Sequence, residues 1–143
     1  MDIVHSYDIK VKWTQGKEGE LSSPDLPPIH TATAPPFPGG LHNVWSPEHL
    51  FVASINGCLM TTFFAIAENS KLQFESYECS ALGKLEKVEG MYLISEVVLR
   101  PTLQVKFAKD INRAERIIRK SEDMCLVSHS VKTRISLEPK VIC

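Results

Sequence analysis

Between Leu50 and Ala67 the chain carries 18 consecutive residues without a charge, with Glu48 and Glu68 just outside the run. A stretch of that length must either cross a membrane or lie as a helix in a core. Ser54, Asn56, Gly57, Thr61 and Thr62 make it a poor lone span, and the rest of the 143 residues is ordinary soluble sequence. A buried helix is therefore expected, with no membrane association. Ser46-Pro47-Glu48 supplies its start: serine caps, proline needs no N–H at the first position, and glutamate meets the positive end of the dipole. Such a helix runs to about Asn69 and is ~36 Å long at ~1.5 Å per residue. A globule of this size is only about 37 Å across. Ser54, Gly57, Cys58, Thr61, Thr62 and Ala65 form a stripe of small residues along it, and Phe51, Leu59, Phe63 and Phe64 help fill the other faces. A helix that crosses the whole monomer and is apolar nearly all round is best buried from both sides, by a homodimer.

The flanking segments read as strands. Tyr7, Ile9, Val11 and Trp13 alternate with Asp8, Lys10 and Lys12, as in a half-buried strand, and Gln15 to Gly19 supplies a turn before a second strand from Glu20. Seven of the nine prolines fall between Pro24 and Pro47, leaving room for one short extended piece around Ile29, Thr31 and Thr33. Phe74 to Lys87 and Met91 to Val105 form a long hairpin about Val88-Glu89-Gly90, and Pro101 marks a bulge or an edge in its second strand. Asp110 caps a second helix with Ile111, Ala114, Ile117 and Ile118 on one stripe, ending near Asp123. Cys125 to Val131 is a further short helical segment and Arg134 to Ile142 a last strand. The order defines an α+β fold in one domain, residues 1–143.

With 16 Lys and Arg against 17 Asp and Glu, the net charge of −1 argues against a nucleic-acid partner. The four cysteines, at 58, 79, 125 and 143, form no C-x-x-C pair, and no secretory signal is read at the start. Reduced thiols in a cytoplasmic protein are the expectation. Core filling accounts for Cys79 and Cys143. Cys58 sits on the small-residue stripe, where another surface must approach. Cys125 stands at a helix junction among Ser128, His129 and Ser130, a setting that favours a reactive thiol. Two alternatives use the same residues. Cys125 and His129 have ligand-compatible spacing that Cys58 and Glu48 would complete as a metal site, and a cysteine with a histidine base would make a nucleophilic pair.

Trp45-Ser46-Pro47-Glu48-His49-Leu50-Phe51-Val52-Ala53, followed by Gly57-Cys58, resembles the central-helix signature of the OsmC/Ohr family of osmotically inducible and organic hydroperoxide resistance proteins. Cys125-Leu126-Val127-Ser128-His129-Ser130-Val131 resembles its second cysteine motif. The resemblance implies a long central helix packed with antiparallel sheets in an intertwined homodimer. It implies a peroxidase that reduces organic or inorganic hydroperoxides in oxidative stress defence, with no cofactor and no metal. Cys58 then matches the peroxidatic thiolate, Cys125 the resolving cysteine, and Glu48 the glutamate that holds an arginine against the thiolate. An external dithiol, of lipoyl type in some members, reopens the disulfide.

The family's arginine follows the first strand, whereas this chain has none before Arg100, and Lys17 stands in the expected place. Lysine lowers a thiol pKa but cannot clamp Glu48 through a bidentate fork. Leu126 replaces the proline that follows the second cysteine. Glu48 and Cys58 are ~15 Å apart along one continuous helix. If both serve one site, the glutamate comes from the other subunit. The alternative function is a catalytically weak relative that binds a small hydrophobic ligand at the dimer cleft.

Overall fold

A computed structural model describes residues 4–143. They fall into two compact units, one reaching to Leu50 and one from Phe51 to Cys143.

In the first unit, β1 (Lys10–Gln15), β2 (Glu18–Ser22) and β3 (Ile29–Ala32) form an antiparallel sheet in that order. Gly16 and Lys17 make the turn between β1 and β2, so the second strand starts two residues earlier than its sequence suggests. Gly16 takes φ +49°, and its carbonyl accepts a hydrogen bond from Trp13 Nε1 at 2.9 Å. The expectation of a half-buried β1 is not met within the chain. Val11 is 65% and Trp13 71% exposed, because no element of this unit covers that face.

The second unit is built on α1 (Pro47–Asn69), whose first turn belongs to the unit before it. The start signal works as read. Ser46 Oγ accepts from the His49 backbone N–H at 3.2 Å, and the Ser46 N–H donates to His49 Nδ1 at 3.2 Å. The histidine thus takes the part that a glutamate or glutamine plays in a capping box. Along α1, Ile55, Leu59, Phe63 and Ala67 are buried, one stripe at helical spacing. By length and composition α1 could cross a membrane, but that stripe is the core of a folded domain.

Two long strands, β4 (Phe74–Val88) and β5 (Met91–Val105), form the expected hairpin. Glu89 and Gly90 take φ +50° and +83°, the two left-handed residues that a tight hairpin turn of this twist requires. Gly83 lets α1 approach the hairpin, since a Cβ there would stand 2.5 Å from Val52 Cγ2. After β5 a 3₁₀ turn (Ala108–Asp110) leads into α2 (Ile111–Asp123), and α3 (Leu126–His129) follows. Asp110 makes no side-chain cap. The 3₁₀ turn runs straight into the helix, and the carboxylate pairs with Arg113 at 3.3 Å instead.

The expectation of antiparallel sheets needs correction. β6 (Arg134–Leu137) and β7 (Lys140–Ile142) both add to β5 in parallel, so this sheet is mixed. The chain from Val105 to Arg134 is long enough for the crossover that parallel pairing demands. Pro101 is also not at an edge: β5 lies between β4 and the β6/β7 pair, and Pro101 is buried. The constant register places Pro139 opposite Pro101. Neither carries an N–H, so the last strand is interrupted there.

Two apolar clusters hold the unit together. Phe63, Ala67, Leu103 and Val105 pack with Ala114, Ile117 and Ile118 of α2. Ile55, Leu59, Val97 and Leu99 pack with Val127 of α3 and Ile135 of β6. The second cluster lies under the middle of α1, where Cys58 is.

Candidate functional site: a pair of thiols

Burial of Ile55 and Leu59 fixes the rotation of α1. Cys58, one position before Leu59 and therefore ~100° around the helix, falls at the border of the core and is half-buried. Its sulfur lies 3.9 Å from Thr62 Oγ1, one turn further on.

Cys125 follows α2 directly. Its N–H donates to the Glu122 carbonyl at 3.1 Å, and its own carbonyl accepts from His129 N–H at 3.1 Å to open α3. Pinned from both sides, the residue is fully buried. Burial pushes its thiol pKa up, and a hydrogen-bonding interaction with Cys58 pushes it further. The Ser128 hydroxyl and amide act in the opposite direction. The two cysteines are 67 positions apart in sequence and meet as free thiols.

The polar neighbours of Cys125 do not make it the readily ionised thiol that the sequence setting favours. The surrounding core outweighs them, and the thiol with solvent access is Cys58. His129 Nε2 donates to the Asp123 carbonyl oxygen at 2.7 Å, which leaves Nδ1 as the ring nitrogen that either alternative would have to use. Among the described residues no three His, Cys, Asp or Glu side chains are grouped to hold a metal.

Glu48 is half-buried in the first turn of α1, and Lys17 is exposed in the β1–β2 turn. Both belong to the first unit. The Lys17 ammonium donates to the Pro38 carbonyl, and its side chain lies across Gly39, whose φ is +79°. Among the described residues neither Lys17 nor Glu48 forms an ion pair. Lys17 also lines a groove of about 340 Å³ with Val11, Trp13, Thr31 and Pro47.

Sequence reading missed Glu122. It is half-buried near the end of α2, and Ser128 Oγ donates to its Oε1 at 3.3 Å. Burial holds its pKa above the usual carboxylate value, against the opposing Ser128 hydrogen bond. The available signal is the spacing Glu122, Cys125, Ser128, three residues apart across a helix junction. Cys79, on β4, is half-buried with its thiol pushed up by burial, and Cys143 is exposed.

The OsmC-like protein family profile matches residues 40–140, well over half of the chain and including both cysteines of the pair. An uncharacterized Bacillus subtilis (strain 168) protein, YmaD, is 21% identical over 139 residues, covering 94% of this chain and 91% of its own. An OsmC-like protein of unknown function from Vibrio cholerae superposes with a TM-score of 0.86 at 23% identity, over 95% of this chain and 99% of the other. An organic hydroperoxide resistance protein from Elizabethkingia anophelis superposes at 0.78 with 19% identity, over 99% of both chains. At these identities the superpositions establish the fold, and the profile match establishes the descent: the chain belongs to the OsmC/Ohr-like family.

Proposed function

We propose that this protein is a thiol-dependent peroxidase that reduces organic or inorganic hydroperoxides, with Cys58 as the peroxidatic and Cys125 as the resolving cysteine. The observation that carries this reading is the meeting of a half-buried and a fully buried thiol from distant parts of the chain. The Cys58 thiolate attacks the peroxide O–O bond, releasing alcohol or water and leaving a sulfenic acid. Cys125 then condenses with it, giving a disulfide and water. An external dithiol, a lipoyl-type group by family analogy, reduces the disulfide by exchange. No step calls for a cofactor.

In this proposal the protein works as a cytoplasmic homodimer. The exposed Val11 and Trp13 row on β1 supports it, as does the single buried stripe on an otherwise apolar α1. The dimer also bears on Glu48, which reaches a Cys58 only from another subunit if α1 stays unbroken. Lys17 is the cation offered for the family's arginine, and to act on a thiolate it must leave the Pro38 carbonyl.

The test is turnover of an organic hydroperoxide with dihydrolipoamide by wild type, Cys58→Ser and Cys125→Ser. Loss of turnover in Cys58→Ser, with sulfenic acid accumulating in Cys125→Ser, is expected. Equal turnover in wild type and Cys58→Ser refutes the assignment.

A further inference from the structure

The resolving thiol presents a chemical difficulty. Cys125 is fully buried and its pKa is raised, so little thiolate exists near neutral pH, yet the thiolate is the nucleophile in disulfide formation. The same sulfur is a poor leaving group when the disulfide is reopened, because leaving is slower for a more basic thiol. Both steps need a proton carrier beside Cys125, away from solvent.

Ser128 lies against the Cys125 sulfur and its hydroxyl donates to Glu122 Oε1 at 3.3 Å. The arrangement is locally determined. Cys125 is the residue before α3, Ser128 is three positions into that turn, and Glu122 accepts the Cys125 N–H through its own carbonyl. One backbone junction therefore sets all three side chains.

We propose that Glu122, acting through the Ser128 hydroxyl, takes the proton from Cys125 when the disulfide forms and returns it when the disulfide opens. Ser128 touches the reacting sulfur; Glu122 is a positioning residue for the proton. On closing, the Cys125 S–H proton moves to Ser128 Oγ as the Ser128 hydroxyl proton moves to the Glu122 carboxylate. The Cys125 sulfur bonds to the Cys58 sulfur, the Cys58 S–O bond breaks, and the departing hydroxide is protonated from solvent to water. On opening, a reductant thiolate bonds to the Cys58 sulfur and the S–S bond breaks. The Cys125 sulfur recovers its proton from Glu122 by the reverse path, and the second reductant thiol releases Cys58.

Burial and the Asp123 charge hold the Glu122 pKa above that of a free carboxylate, and the Ser128 hydrogen bond and His129 oppose them. That moves its basicity toward that of the thiol it serves. Tyr77 and Cys79 on β4 also face this carboxyl, and burial keeps both of them neutral near pH 7. Glu122 is the group among these that changes its proton most readily.

This inference rests on the roles given to Cys58 and Cys125, so the test uses a reaction that needs no peroxide. In a Cys79→Ala, Cys143→Ser background, dithiobis(nitrobenzoate) converts Cys58 to a mixed disulfide and releases one thionitrobenzoate. Attack by Cys125 then releases the second, and mass spectrometry identifies the Cys58–Cys125 disulfide. Glu122→Gln should leave the first release unchanged and slow the second on the order of 100-fold near neutral pH. The second release in the variant should also gain a rise of about tenfold per pH unit, because only pre-formed thiolate then reacts. Ser128→Ala should behave alike, and the double variant no worse than either single one, as for two links in series. Equal second-release rates in wild type and both variants overturn the relay. So does a slower rate with an unchanged pH profile, which marks a structural role. Failure to turn over hydroperoxides, with this exchange intact, counts against the peroxidase reading and leaves the relay standing.

Discussion

Oxidation of the thiol pair should stabilise the fold by an amount that follows from chain length. A Cys58–Cys125 bond closes a loop of about 68 residues, and the loop-closure entropy removed from the unfolded chain is then worth about 4.4 kcal/mol at 25 °C. Strain in a newly made bond lowers such figures, but these thiols already interact in the reduced protein. The unfolding entropy of a 143-residue chain is ~0.3 kcal/mol per degree, so the gain corresponds to a rise in Tm of about 15 °C. Thermal unfolding of diamide-oxidised and reduced protein would be followed by circular dichroism. Protein concentration is held fixed, because association also shifts Tm. Cys125→Ser under the same oxidant should show no rise. If mass spectrometry finds the Cys58–Cys125 disulfide and Tm is unchanged or lower, the contact is not one that a disulfide fits. The proposed cycle would then lose its geometric basis.

Leu59→Ala removes a fully buried side chain next to Cys58 and should cost 2–5 kcal/mol in urea unfolding; a loss under about 1 kcal/mol would mean that the cluster under α1 is not close-packed. Glu122→Gln has a pH-dependent effect on stability. Because burial raises the folded-state pKa, the carboxyl's contribution is full below its unfolded value and is lost as pH rises through the folded one. The melting temperature of the variant relative to wild type should therefore increase from pH 4 to pH 8, and a constant difference contradicts the assigned burial. Trp13→Glu, on the exposed β1 row, should weaken self-association by about 30-fold, the ~2 kcal/mol of an aromatic anchor, in sedimentation equilibrium. Unchanged association removes β1 from the interface.

Local signals were legible because their physics is local. Ser46-Pro47 starts α1 and Glu89-Gly90 turns the hairpin where the sequence places them. Partners across the sheet were not legible. Whether β6 joins β5 in parallel depends on where a 28-residue crossover lands, and no residue of β6 encodes that. Pro101 misled for the same reason: the neighbouring strand is broken opposite it, at Pro139, and nothing local to Pro101 shows that break. Of the candidate site, the cysteines were read through the family resemblance. Spacing alone could not pair two thiols 67 positions apart. Glu122 was invisible because a glutamate on an amphipathic helix reads as solvated, and only the turn into α3 folds Ser128 back onto it.

The asymmetry of the pair constrains the order of events. A peroxide or a bulky dithiol needs access to the sulfur it meets, and of the two only Cys58 has solvent access. In the proposed cycle Cys58 is therefore the sulfur oxidised first, and after the disulfide forms it is also the sulfur the reductant attacks. Cys125 never meets a substrate in this scheme. It acts as nucleophile once and as leaving group once per cycle, both times inside the core. Its chemistry is set by the α2–α3 junction, so changes there should alter the closing and opening rates while the first oxidation at Cys58 proceeds unchanged.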